Sequence, residues 1–67
     1  MNLKEIGLIL KQRRKELALD QRNLARLSGV SVHSLSDIEA GKGNPTLERL
    51  SRIAEVLGLE INVKVKT

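Results

Sequence analysis

The stretch from Asp20 to Gly41, DQRNLARLSGVSVHSLSDIEAG, decides the fold. Asp20 is suited to cap a helix whose inward positions are Leu24, Ala25 and Leu27, and Gly29 supplies the left-handed residue that a sharp stop needs. A second helix starts at Ser31. At about 100° per residue, Leu35, Ile38 and the stem of Glu39 share one side of it with Ser31, while His33, Ser36 and Asp37 face the other way. The apolar side is built to pack, and the polar side is left free to read a groove.

Two short amphipathic helices joined by a glycine turn form a helix-turn-helix, which points to DNA. The rest of the chain frames that unit. Asn2 and Glu5 have the spacing of a capping box, and Leu3, Ile6, Leu10 and Leu17 recur at helical spacing around Arg13 and Arg14, which predicts a first helix over residues 2–17. The second and third helices are expected over 21–27 and 31–40, followed by a loop from Gly41 to Asn44. Asn44, Pro45 and Thr46 offer a cap and a proline at the start of a fourth helix, carried by Leu47, Leu50, Ile53, Ala54 and Leu57 and ended by Gly58.

The period then changes. Leu59, Ile61, Val63 and Val65 alternate with Glu60, Asn62, Lys64 and Lys66, a strand pattern in a chain with no other strand to pair with. A partner must come from outside, and the simplest one is a second copy of the chain, giving a short antiparallel ribbon about a two-fold axis. Otherwise the segment is a frayed tail or a helix extension. The expected organisation is a DNA-binding domain over 1–58 and a dimerisation strand over 59–67.

Composition narrows the partners. The 67 residues hold one small domain, with no Cys and a single His, so neither disulfides nor a Cys/His metal site brace the fold. No metal and no cofactor is expected. The absence of Phe, Tyr and Trp removes base stacking, on which most single-strand binders rely, and favours duplex DNA. Twelve Lys and Arg against eight Asp and Glu give a net charge of +4, which suits a polyanion. The apolar run Leu8 to Leu10 is too short for a signal peptide or a membrane span, so a cytoplasmic protein, on the nucleoid through its DNA, is expected. Ser34, His33 and Asp37 are the residue types of a hydrolytic triad. As neighbours on one exposed helical turn they have no pocket and no oxyanion donors, and no enzyme activity is expected.

The pieces LxLDQxxLAxxxGVS, SxxSLSxIExGKGxP and LxRLxxIAxxLG, in that order and spacing over residues 3–58, resemble the lambda-repressor and Cro type of helix-turn-helix regulators of bacteria and phages. The resemblance implies an all-α bundle of four or five helices and homodimers that bind palindromic operator DNA to repress transcription, with the third helix in the major groove. It places Val32, His33, Ser36 and Asp37 where the family reaches base edges. Gln21 falls at the position of a phosphate contact, as do Lys42, Asn44 and Thr46, with Arg22 and Ser31 as further phosphate contacts. Arg14 and Glu39 match a structural ion pair between helices one and three. Leu59, Ile61, Val63 and Val65 are expected to form the dimer interface, because one protomer cannot pair that apolar strand face by itself, and LGLEINVKV resembles the C-terminal strand of the antitoxins that accompany HipA-type kinase toxins. The alternative function is therefore an antitoxin that binds a toxin protein and represses its own operon.

Overall fold

The computed structural model describes residues 1–66 and contains four helices: α1 (Leu3–Glu16), α2 (Gln21–Ser28), α3 (Val32–Glu39) and α4 (Leu47–Val56). All four begin in the same way. The side-chain oxygens of Asn2, Asp20, Ser31 and Thr46 accept the backbone N–H three residues on, at 2.9, 2.7, 3.0 and 3.2 Å, and so satisfy donors that a helix start leaves open. Thr46 rather than Asn44 is the cap of α4, and Pro45 lies outside the helix.

They also end alike. Within two residues of each helix end the chain turns to a left-handed φ: Ala18 at 56°, Gly29 at 71°, Gly41 at 72° and Gly58 at 71°. The next N–H then returns to a carbonyl five residues back, from Leu19 to Arg14 at 3.1 Å, Val30 to Ala25 at 3.0 Å, Lys42 to Asp37 at 2.8 Å and Leu59 to Ala54 at 2.8 Å. Leu19, Val30 and Leu59 fold back onto the core. Lys42 does the opposite: it is exposed, and the chain leaves α3 outward.

The core is aliphatic, with Leu10, Leu24, Leu35, Ile38, Ile53 and Leu57 buried. α3 packs against α1 and α2, and α4 packs against α2. The closest approach is at Gly7. A Cβ there would collide with the carbonyl oxygen of Ile38 and lie 2.7 Å from that of Glu39, so α1 rests directly on the last turn of α3 with no side chain between them. Arg13 donates from Nε to the Leu57 carbonyl at 2.9 Å and ties α1 to the end of α4.

Three expectations are corrected. Leu27 is 51% exposed, and Ser28 is buried in its place. The inward stripe of α2 is Leu24, Ala25 and Ser28, and Leu27 lies about 100° around the helix from its centre. Leu3, Leu17 and Leu47 follow the helical period but sit at its rim and are exposed. The strand expected over 59–67 is not formed in residues 59–66, and Thr67 lies outside the described residues. A strand exists only as part of a hydrogen-bonded ladder, and a helical bundle gives this segment no edge to join.

Two substitutions test these constraints. Gly7→Ala should destabilise by about 1–3 kcal/mol although alanine is the better helix former, because the added methyl meets backbone that cannot move aside. Ala18→Gly should stabilise by roughly 0.5–1 kcal/mol by relieving a left-handed alanine. Chemical denaturation followed by circular dichroism measures both.

Candidate nucleic-acid interface

α3 is sided. Leu35, Ile38 and Glu39 are buried, whereas Val32, His33 and Ser36 are exposed and Asp37 is half-buried. His33 Nε2 lies 3.4 Å from Asp37 Oδ2 on the exposed surface, where such a contact contributes little to stability. Ser34 makes no hydrogen bond to His33 among the described residues, and its backbone N–H is held by Ser31, so the three residues do not assemble a triad. Among the described residues no group of three His, Asp or Glu side chains could hold a metal ion. No helix there is long and apolar enough to cross a membrane.

The buried side of α3 ends in a polar cluster. Arg14 Nε donates to Glu39 Oε2 at 2.7 Å and Arg14 Nη2 to Oε1 at 3.0 Å, a bidentate pair with side chains 10% and 3% exposed. Arg14 Nη1 also donates to the Leu19 carbonyl at 2.8 Å, which fixes the link between α1 and α2. The hydrogen bond to Glu39 raises the pKa of the Arg14 guanidinium, against the opposing effect of burial and with the further attraction of Glu39 and Asp20. A raised cation pKa adds stability that is fully present below its unfolded value and is lost only above its folded value. Arg14 therefore stays charged through the whole neutral range.

Gln21 opens α2, and its Nε2 donates to Glu39 Oε1 at 3.0 Å. Sequence reasoning placed Gln21 toward phosphate and Glu39 toward Arg14, and the structure brings all three together. Ser31 and Thr46 are exposed cap residues whose oxygens accept backbone N–H groups, leaving each hydroxyl proton to donate outward. Lys42 and Asn44 are exposed in the loop after α3, and Arg22 is exposed in the first turn of α2.

Arg49 joins them. It lines a shallow concavity with Ser34, Asp37, Lys42 and Asn44, at the junction of α3, the loop and α4. The sequence analysis does not single it out, although its place three residues after the Thr46 cap was a usable signal. Arg52 pairs with Glu48 at 2.7 Å and Arg13 with Glu16 at 3.2 Å, whereas Arg22, Lys42 and Arg49, like Lys4, Lys11, Lys15 and Arg26, have no acidic partner among the described residues. Of these cations, Lys42 and Arg49 lie beside Ser34 and Asp37 of α3. At the other end of the chain, Leu59 packs on its own core while Ile61, Val63 and Val65 are exposed, the last two at 97% and 91%.

A glycine-stopped helix followed by a second helix with one anchored and one free side defines a helix-turn-helix DNA-binding domain. The sequence pattern of that family matches residues 10–63, and the chain belongs to the helix-turn-helix family, the DNA-binding regulators of the lambda-repressor and Cro type. It is 43% identical over 60 residues to the ImmF control region 10 kDa protein of Bacillus phage phi105, covering 90% of this chain and 67% of that one. It is 37% identical over 60 residues to the immunity repressor protein of the same phage, covering 90% of this chain but only 42% of the repressor. Among solved structures, the restriction-modification controller protein C.AhdI from Aeromonas hydrophila superposes with a TM-score of 0.81 at 31% identity, over 87% of this chain and 88% of the other. The antitoxin alternative draws no support from these relatives.

The buried pair generates a prediction. Arg14→Met alone should cost about 3–5 kcal/mol, because it strands a buried carboxylate, whereas Arg14→Met combined with Glu39→Met should come within about 1–2 kcal/mol of the parent. Urea denaturation of the single and double variants checks this.

Proposed function

We propose that the chain is a transcriptional regulator, in the manner of a repressor, that binds a palindromic operator as a homodimer with α3 in the major groove. The observation that carries this reading is the sidedness of α3: it is clamped from behind and exposed in front, with the unpaired cations Lys42 and Arg49 beside it. Val32, His33, Ser36 and Asp37 face the bases, Val32 through apolar contact with a thymine methyl and Asp37 as an acceptor for a cytosine amino group. Gln21, Arg22, Ser31, Lys42, Asn44, Thr46 and Arg49 contact sugar and phosphate, which sets register without specifying sequence. No residue is assigned a catalytic step.

Two of these cations support the reading through their cost to the free protein. Arg22 and Arg49 stand in the first turns of α2 and α4, where the helix dipole disfavours positive charge by about 0.3–1 kcal/mol. A phosphate backbone would reverse that penalty. The similarity to the phage immunity repressor supports repression, and the exposed Ile61, Val63 and Val65 support a dimer through the C-terminal segment, with half-site centres about 34 Å apart or a multiple of that.

The test is selection of bound sites from a random duplex pool, followed by variants on the selected operator. Lys42→Ala should weaken all sequences alike and lower the salt slope by about one, while His33→Ala or Asp37→Ala should shift base preference. Arg49→Glu should weaken binding yet stabilise the fold by about 0.5–1 kcal/mol, since it completes a capping box with Thr46. Selection that enriches no sequence overturns the reading, and truncation after Gly58 that leaves the dimer intact on sedimentation overturns the C-terminal interface.

A further inference from the structure

Glu39 has no access to solvent to speak of, yet it makes three hydrogen bonds to two helices: two from Arg14 and one from Gln21 at 3.0 Å. A carboxylate only accepts, so the amide nitrogen of Gln21, not its oxygen, must face it. That nitrogen carries two hydrogens in one plane, and only one is used among the described residues. Once the first is bound, the direction of the second is set, because turning the amide would break a hydrogen bond to a charged group. A free glutamine would hold this geometry only part of the time, and ordering such a long side chain carries a large entropic cost.

We infer that Glu39 is a positioning residue for DNA: it holds Gln21 so that the second Nε2–H is already aimed at the phosphate backbone before the duplex arrives. This rests on the DNA-binding reading above. Arg14 is part of the device in an electrical sense. It neutralises the Glu39 carboxylate, which can then brace a phosphate-binding side chain without repelling the phosphate. The pair between α1 and α3 therefore does more than stabilise: it sets the affinity of a residue on a third element.

The experiment is a double-mutant cycle on an operator selected from the random duplex pool, with Arg14→Met/Glu39→Met as the background that removes the carboxylate without leaving a buried charge. Gln21→Ala should weaken binding about tenfold in the parent chain. In the double background the same change should cost less than threefold, because Gln21 is no longer aimed. An equal factor in both backgrounds overturns the proposal. A readout on the parent chain removes dependence on how the variants fold: the two side-chain amide protons of Gln21 give separate signals in 15N spectra, and only the one turned away from Glu39 should shift on adding the duplex. Movement of the proton facing Glu39, as expected if Gln21 lets go in order to bind, also overturns it. Failure of the parent chain to bind any selected duplex would instead sink the DNA-binding reading itself.

Discussion

Gly7 allows the backbone of α1 to lie against the last carbonyls of α3, and the rest of the recognition unit depends on that contact. An eight-residue helix has little stability of its own in water, so α3 must be held by what surrounds it. Gly7, Leu10 and Arg14 are the buried residues of α1 and lie along one of its faces. The first provides room, the second fills the core, and the third reaches Glu39. The end of α3 is thus fixed by backbone contact and by a charged hydrogen-bonded pair at once, while its opposite side carries no structural duty. Arg13 adds a tether to Leu57 from the neighbouring position on α1, so the same helix braces α3 and α4.

Much of this frame is legible in the sequence because it is written locally. Asn2, Asp20 and Ser31 announce helix starts within three residues, and Gly29, Gly41 and Gly58 announce stops within five. The stop at Ala18 is not legible, since the same backbone turn is made there by a residue that ordinarily avoids it. Gly7 misleads in the other direction: inside a helix glycine reads as a weakness, and only the position of α3 reveals why it is needed. Leu27 shows the limit of pattern reasoning in a helix of two turns, where a shift of one residue in the stripe decides which apolar residue is buried.

The candidate site divides along the same line. The outward positions of α3 follow from the helical period, and the Arg14 and Glu39 positions follow from the family resemblance. The bond between Gln21 and Glu39 joins residues 18 apart on different helices and has no local signature. Arg49 escaped because a charge in the first turn of a helix reads as surface until its neighbours Lys42 and Asn44 are seen beside it. The tail is the reverse case. Its alternation is clear in the sequence, but alternation becomes a strand only when another edge supplies the hydrogen bonds.

The outward course of the chain after α3 has an evolutionary consequence. The stops after α1, α2 and α4 fold an apolar residue back onto the core, so a mutation there disturbs the frame. The stop after α3 exposes Lys42 instead, and the side chains of Val32, His33 and Ser36 on the outer side of α3 form no hydrogen bond to the core among the described residues. The exposed positions Val32, His33, Ser36 and Lys42 can drift under selection for a new target site with little penalty in folding, whereas Gly7, Arg14 and Glu39 cannot. Descendants of this chain can therefore diverge in the gene they control while remaining superposable in every helix.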